Sequence, residues 1–153
     1  MKREPQKAKS IPAAYYELTK PSITFLILVS TALGYFLGGN GIENISRFLL
    51  TLFGSGLVSS GAGALNHYAE QGTDKLMNRT KSRPIVSGLI SPNHALIFGI
   101  LISLVGVAIL YIFINDLTAI LALLTTLLYL FIYTPLKKVT WLNTSIGAIP
   151  GAL

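Results

Sequence analysis

Residues 66–84 read NHYAEQGTDKLMNRTKSRP, and this polar stretch interrupts an otherwise apolar chain. It contains two of the six acidic residues and four of the twelve Lys and Arg residues of the protein. Asn66, Glu70 and Asp74 recur at intervals of four, so on a helix they lie along one face. Neighbouring carboxylates repel each other, and their placement on one face therefore calls for a separate reason.

A bound cation would supply that reason, because a hard divalent ion such as Mg2+ prefers oxygen ligands. The four basic residues follow directly, and Lys and Arg side chains suit phosphate oxygens. Carboxylates followed by cations predict a site for a metal-bound diphosphate. The spacing also leaves open a plainer interpretation, in which the stretch is a solvated loop between membrane helices and its cations fix the topology.

The composition excludes an ordinary soluble domain. The chain has 153 residues, of which 52% are hydrophobic and 12% charged, whereas soluble domains carry about 25% charged residues. Long apolar runs indicate a lipid bilayer as the solvent. The net charge of +6 does not indicate nucleic acid, because the basic residues lie in short segments between apolar runs. The absence of cysteine excludes disulfides and thiolate metal sites.

Four apolar runs and the start of a fifth predict an all-α, polytopic transmembrane helical bundle. The predicted spans are residues 22–38, 45–65, 94–114 and 117–133, and the short fifth run is 141–153. Residues 1–20 are predicted to form a cytoplasmic tail, and residues 21–153 the transmembrane domain.

Local signals refine this picture. Four glycines in the second span predict close packing inside the bundle. That span runs directly into Asn66, so the acidic face is expected at its membrane-surface end, where buried acidic groups are usually functional. Ser91 is predicted to cap the third span, and residues 134–140 are predicted to form a second polar loop.

The distribution of Lys and Arg predicts the orientation. Basic residues concentrate in the tail, the central loop and the loop at 134–140, whereas Arg47 stands alone in the first connection. The turn at Asn115-Asp116 has no basic residue. A multi-pass protein of the cell (inner or plasma) membrane is therefore expected, with its N-terminus and both basic loops in the cytoplasm.

The combined motif resembles the first aspartate-rich motif of the intramembrane UbiA-type prenyltransferases, and within them the protoheme IX farnesyltransferase branch. Glu70 favours that branch, because quinone-pathway relatives usually have Asp at this position. Ser22 departs from the family pattern, because relatives often have Arg there. The segments Leu18-Thr-Lys-Pro21 and Tyr133-Thr-Pro-Leu-Lys137 are also similar to that branch. The matching residues in the polar stretch itself are Asn66, Glu70, Asp74, Met77, Arg79, Thr80, Arg83 and Pro84.

The resemblance implies transfer of the farnesyl group of farnesyl diphosphate to a vinyl group of heme b, giving heme O, with Mg2+ as cofactor. It implies that Asn66, Glu70 and Asp74 bind the metal and that Tyr133 lies near the allylic carbon. The side chains it implies for diphosphate binding are those of Lys75, Arg79, Arg83 and Lys137.

The resemblance also implies a nine-helix bundle with a second acidic motif in a C-terminal half. The chain is therefore expected to be an N-terminal portion that lacks this half and is inactive alone. Two alternatives stay open: a prenyltransferase with an aromatic acceptor such as 4-hydroxybenzoate, and a non-catalytic membrane remnant.

Overall fold

The computed structural model describes residues 10–39, 41–42 and 44–136, and within them all regular structure is helical. The predicted all-α class is confirmed. The predicted fifth run, residues 141–153, lies outside the described residues, as do residues 1–9 of the predicted tail. The elements in order are α1 (Ile11–Leu18), α2 (Pro21–Gly38), α3 (Ile45–Asp74), α4 (Pro92–Phe113), α5 (Asp116–Leu127), a π-helical segment (Leu128–Tyr133) and α6 (Thr134–Leu136).

Four helical segments are long and apolar enough to cross a membrane: Pro21–Gly38, Ile45–Asp74, Pro92–Phe113 and Asp116–Leu136. They correspond to the four predicted spans. The acidic face forms the last turns of α3, as expected, because the helix continues without a break from the apolar run to Asp74.

The fourth span is longer than predicted, and the assignment of residues 134–136 to a loop is wrong. The chain remains helical to Leu136 through a π-helical segment. Both the backbone N–H and the hydroxyl of Thr134 donate to the carbonyl oxygen of Tyr129, the hydroxyl at 2.8 Å. The side chain thereby adds a second donor to a backbone acceptor of the irregular helix, and Thr134 is itself buried.

Side-chain caps define the starts of α4 and α5. The Ser91 hydroxyl accepts from the backbone nitrogen of His94 at 3.3 Å, which confirms the predicted cap. The Asn115 side chain accepts from the backbone nitrogen of Thr118 at 2.7 Å. Each cap satisfies a backbone donor that the first helical turn cannot.

Helix α3 is the interior helix, as its glycines predict, and it packs most closely against α4. A Cβ atom built on Gly61 would lie 2.6 Å from the carbonyl oxygen of Gly99, and one on Gly106 would lie 2.7 Å from that of Gly54. Only glycine allows backbones to approach this closely. This packing fixes which face of α3 looks towards the remaining helices.

A small apolar cluster covers the end of the bundle where α3 ends and α4 begins. Leu18 of α1 and Ile85 and Ile90 of the loop between α3 and α4 are buried there together. Because these residues pack against Ala64 and Ala95, the loop folds back over the helix ends. The later residues of this loop therefore lie near the acidic end of α3.

Candidate functional site

The three oxygen-bearing residues of α3 all point into the protein. Asn66 is 0% exposed, and Glu70 and Asp74 are each 4% exposed. Burying a carboxylate among apolar helices is costly unless a charged or hydrogen-bonding partner compensates. The surrounding basic and hydroxyl groups therefore decide what this face can do.

Arg83 is the cation that the loop brings onto the carboxylates. Its Nη1 atom lies 2.6 Å from Oδ2 of Asp74 and 3.5 Å from Oε2 of Glu70. The hydroxyl of Thr80 donates to the backbone oxygen of Asp74 at 2.9 Å, which ties the loop to the helix end. A purely solvated loop does not account for Arg83, whose side chain is 22% exposed and bonded to two buried acids.

The other end of the acidic face is occupied by Lys20, which lies just before α2. Its ammonium group donates to Oδ1 of Asn66. The Asn66 amide nitrogen in turn donates to the Thr134 hydroxyl at 3.2 Å. Three separate parts of the chain therefore meet at one asparagine.

The remaining predicted site residues are placed differently. Lys75 and Arg79 are exposed on the loop, where they are accessible to a ligand but are not part of the buried cluster. Tyr133 is half-buried and stacks on Tyr129, with ring centroids 5.5 Å apart. Lys137 lies outside the described residues.

Sequence reasoning gave no site role to Lys20, Tyr129 or Thr134. Tyr129 stacks on Tyr133, and its backbone oxygen accepts from the Thr134 hydroxyl. The sequence feature that could have indicated Lys20 is its position in the Leu18-Thr-Lys-Pro21 segment, which is similar to the family branch. No local pattern marked Tyr129 or Thr134, because their proximity to α3 depends on how the helices pack.

The donor set fits a hard divalent cation. Glu70 and Asp74 supply carboxylates, the donors that Mg2+ prefers, and Asn66 adds an amide oxygen that accepts from the Lys20 ammonium in this structure. Within the described part of the chain, no three His, Cys, Asp or Glu side chains gather closely enough to hold a metal by themselves. Two carboxylates nevertheless match the usual protein share of a magnesium site that is completed by waters and substrate phosphates.

Four membrane-crossing helices around a buried acidic and basic cluster define an integral membrane protein with a polar site among its helices. The UbiA prenyltransferase family profile matches residues 27–153. The chain belongs to this family.

Named relatives agree with this membership. The chain is 44% identical over 148 residues to a protoheme IX farnesyltransferase from Solibacter usitatus, covering 91% of this chain and 51% of that protein. It is 46% identical over 138 residues to the enzyme of the same name from Leptospira biflexa, covering 90% and 49%. It is 38% identical over 139 residues to that from Legionella pneumophila, covering 90% and 47%.

The chain thus spans about half the length of the curated relatives it matches. No solved structure matches it.

Proposed function

We propose that this chain forms part of a protoheme IX farnesyltransferase, which moves the farnesyl group of farnesyl diphosphate to a vinyl group of heme b to give heme O. One observation carries the proposal. A chain whose relatives bear that enzyme's name buries Asn66, Glu70 and Asp74 beside Arg83 at the end of a membrane-crossing helix.

The reaction breaks the bond between the farnesyl carbon and the diphosphate oxygen and forms a carbon–carbon bond to one vinyl carbon. Water adds a hydroxyl to the other vinyl carbon and releases its remaining proton to the solvent. Diphosphate leaves with the bonding electron pair. A divalent cation bound here, in our proposal Mg2+, would supply positive charge to this leaving group. Asn66, Glu70 and Asp74 would hold the cation.

The basic side chains have a complementary role, since preorganised cations stabilise charge where it develops. Arg83 contacts the acidic cluster itself, whereas Lys75 and Arg79 are exposed. We propose that all three contact the diphosphate and that Lys137 joins them from the second basic loop. Tyr133 is proposed to border the allylic carbon, and the surrounding apolar helices would keep water from the reacting group.

The direct test is heme analysis. The complete reading frame that contains these residues is expressed in a bacterium that lacks its own heme O synthase. Extracted hemes are separated and identified by mass spectrometry, and we expect heme O to accumulate. A folded, membrane-inserted protein that yields prenylated 4-hydroxybenzoate instead, or no prenylated product, would contradict the proposal.

We also infer that the N-terminus and the basic loops face the cytoplasm of a cell-membrane protein. Because the chain has no cysteine, single cysteines can report on each side. In spheroplasts, a membrane-impermeant maleimide is expected to label Asn115→Cys, whereas Asn78→Cys should react only after permeabilisation. Labelling of Asn78→Cys in intact spheroplasts would overturn the orientation.

A further inference from the structure

The corner between α1 and α2 has an unusual backbone at Lys20. This residue has φ 49° and ψ 61°, which makes it the single non-glycine residue with positive φ in the described part of the chain. The left-handed region is unfavourable for a residue other than glycine, and a residue that precedes proline normally favours an extended conformation. Such strain persists only where the surrounding structure enforces it, and it often marks a functional site.

The contacts around this corner show what enforces it. Leu18 is fully buried, and a Cβ atom built on Gly63 of α3 would lie 3.0 Å from its backbone oxygen. The Thr24 hydroxyl donates to the backbone oxygen of Thr19 at 2.9 Å and shares a 3.0 Å hydrogen bond with the Ser59 hydroxyl. The corner is therefore clamped against α3 on both sides of Lys20.

These contacts hold the Lys20 ammonium group at the Asn66 end of the acidic face. Lysine can only donate hydrogen bonds, so its contact with Asn66 turns the amide oxygen towards the lysine. The Thr134 hydroxyl accepts from the amide nitrogen and thereby fixes the opposite side of the amide. Lys20 is thus held by Asn66 much as Arg83 is held by Asp74 and Glu70.

We propose that Lys20 is a further diphosphate-binding residue. It provides the cation at the Asn66 end of the site, while Arg83, with Lys75 and Arg79, provides those at the Asp74 end. The ligand class is the pyrophosphate portion of a prenyl diphosphate, since a positioned ammonium group suits phosphate oxygens. Lys20 is only half-buried, which leaves the group accessible to such an anion. This inference deepens the proposed function and rests on it.

Pyrophosphate binding tests the proposal. The purified protein, expressed from its complete reading frame, is titrated with pyrophosphate in the presence of Mg2+ by calorimetry. Lys20→Met is expected to weaken binding about 10-fold or more, the loss of one charge-assisted hydrogen bond. Lys20→Arg keeps the charge and should restore most of the affinity. In turnover, Lys20→Met should raise the KM for farnesyl diphosphate more than it lowers kcat.

Lys81→Met is the matched control. Lys81 also donates to an asparagine, Asn78, at 3.1 Å, but this pair is exposed, so its loss should leave pyrophosphate affinity unchanged. Wild-type affinity in Lys20→Met would overturn the proposal. So would equal losses in Lys20→Met and Lys20→Arg accompanied by lowered thermal stability, because that pattern denotes a structural role. Intact pyrophosphate binding without heme O would instead overturn the proposed function and leave the role of Lys20 supported.

Discussion

Replacing Asp74 by asparagine is expected to reduce heme O formation about 100-fold or more, the usual scale for removing one group that stabilises developing charge. The substitution keeps the shape of the side chain and removes its charge. Asp74 holds Arg83 at 2.6 Å and belongs to the oxygen set proposed for the metal. Its loss should therefore weaken the proposed metal site and displace Arg83, the proposed diphosphate-binding cation, together. Heme extraction from cells that express each variant measures the effect.

Glu70→Gln should have an effect of similar size, because Glu70 is buried beside the same guanidinium at 3.5 Å. Asp116→Asn is the matched control, since Asp116 is exposed in the first turn of α5 and lies outside the site. It should retain wild-type heme O levels.

Unfolding must be separated from loss of chemistry in these variants. Removing Asp74 also leaves Arg83 without its closest acidic partner, and breaking a partly buried ion pair can lower stability. The thermal midpoint in detergent should accompany every heme measurement. Wild-type heme O levels in either acidic variant would refute metal binding at that residue.

A side chain at Gly61 is expected to prevent α3 and α4 from packing. The Cβ atom of Gly61→Ala would lie 2.0 Å from the Ser103 hydroxyl oxygen and 2.6 Å from the backbone oxygen of Gly99. The serine side chain can rotate away, whereas the Gly99 backbone cannot. Overpacking of this kind costs about 1–3 kcal/mol. Gly61→Leu should be more severe, and little folded protein should be recovered from membranes.

Two comparisons isolate that cause. Gly34→Ala introduces the same methyl group on α2, where nothing lies within 4 Å, and alanine favours a helix over glycine by about 1 kcal/mol. It should therefore leave the thermal midpoint unchanged or raise it. Adding Ser103→Ala to Gly61→Ala should recover only part of the stability, because the backbone clash remains. Full recovery would show that the helices can separate without cost.

The sequence was a good guide wherever the controlling interactions are local. Apolar runs predicted the spans, because a bilayer demands about 20 apolar residues per crossing. Ser91 was predicted as a cap, since a cap requires only a suitable side chain near its own helix start. The glycines of α3 predicted an interior helix, and Asn66, Glu70 and Asp74 were placed on one face by helical periodicity alone.

Local reasoning failed where the chain departs from a regular helix. Residues 134–136 read as a polar loop, yet the helix continues through Thr134, whose backbone N–H and hydroxyl both donate to the Tyr129 carbonyl. Its burial depends on α3, which presents Asn66 to it. Sequence pattern could not supply that partner, since the two residues are 68 positions apart.

The sequence alone determined that this is a membrane helical bundle with an acidic helix face followed by a basic loop. The tertiary structure decided which cations meet that face: Arg83 is bonded there and Arg79 is exposed, although both lie in the same loop. It also brought in Lys20 from 46 residues away. The physical reason is that helical periodicity fixes the directions of side chains within one helix, whereas contacts between helices depend on packing distance and rotation. The glycines of α3 and the α1–α2 corner together set that distance and rotation.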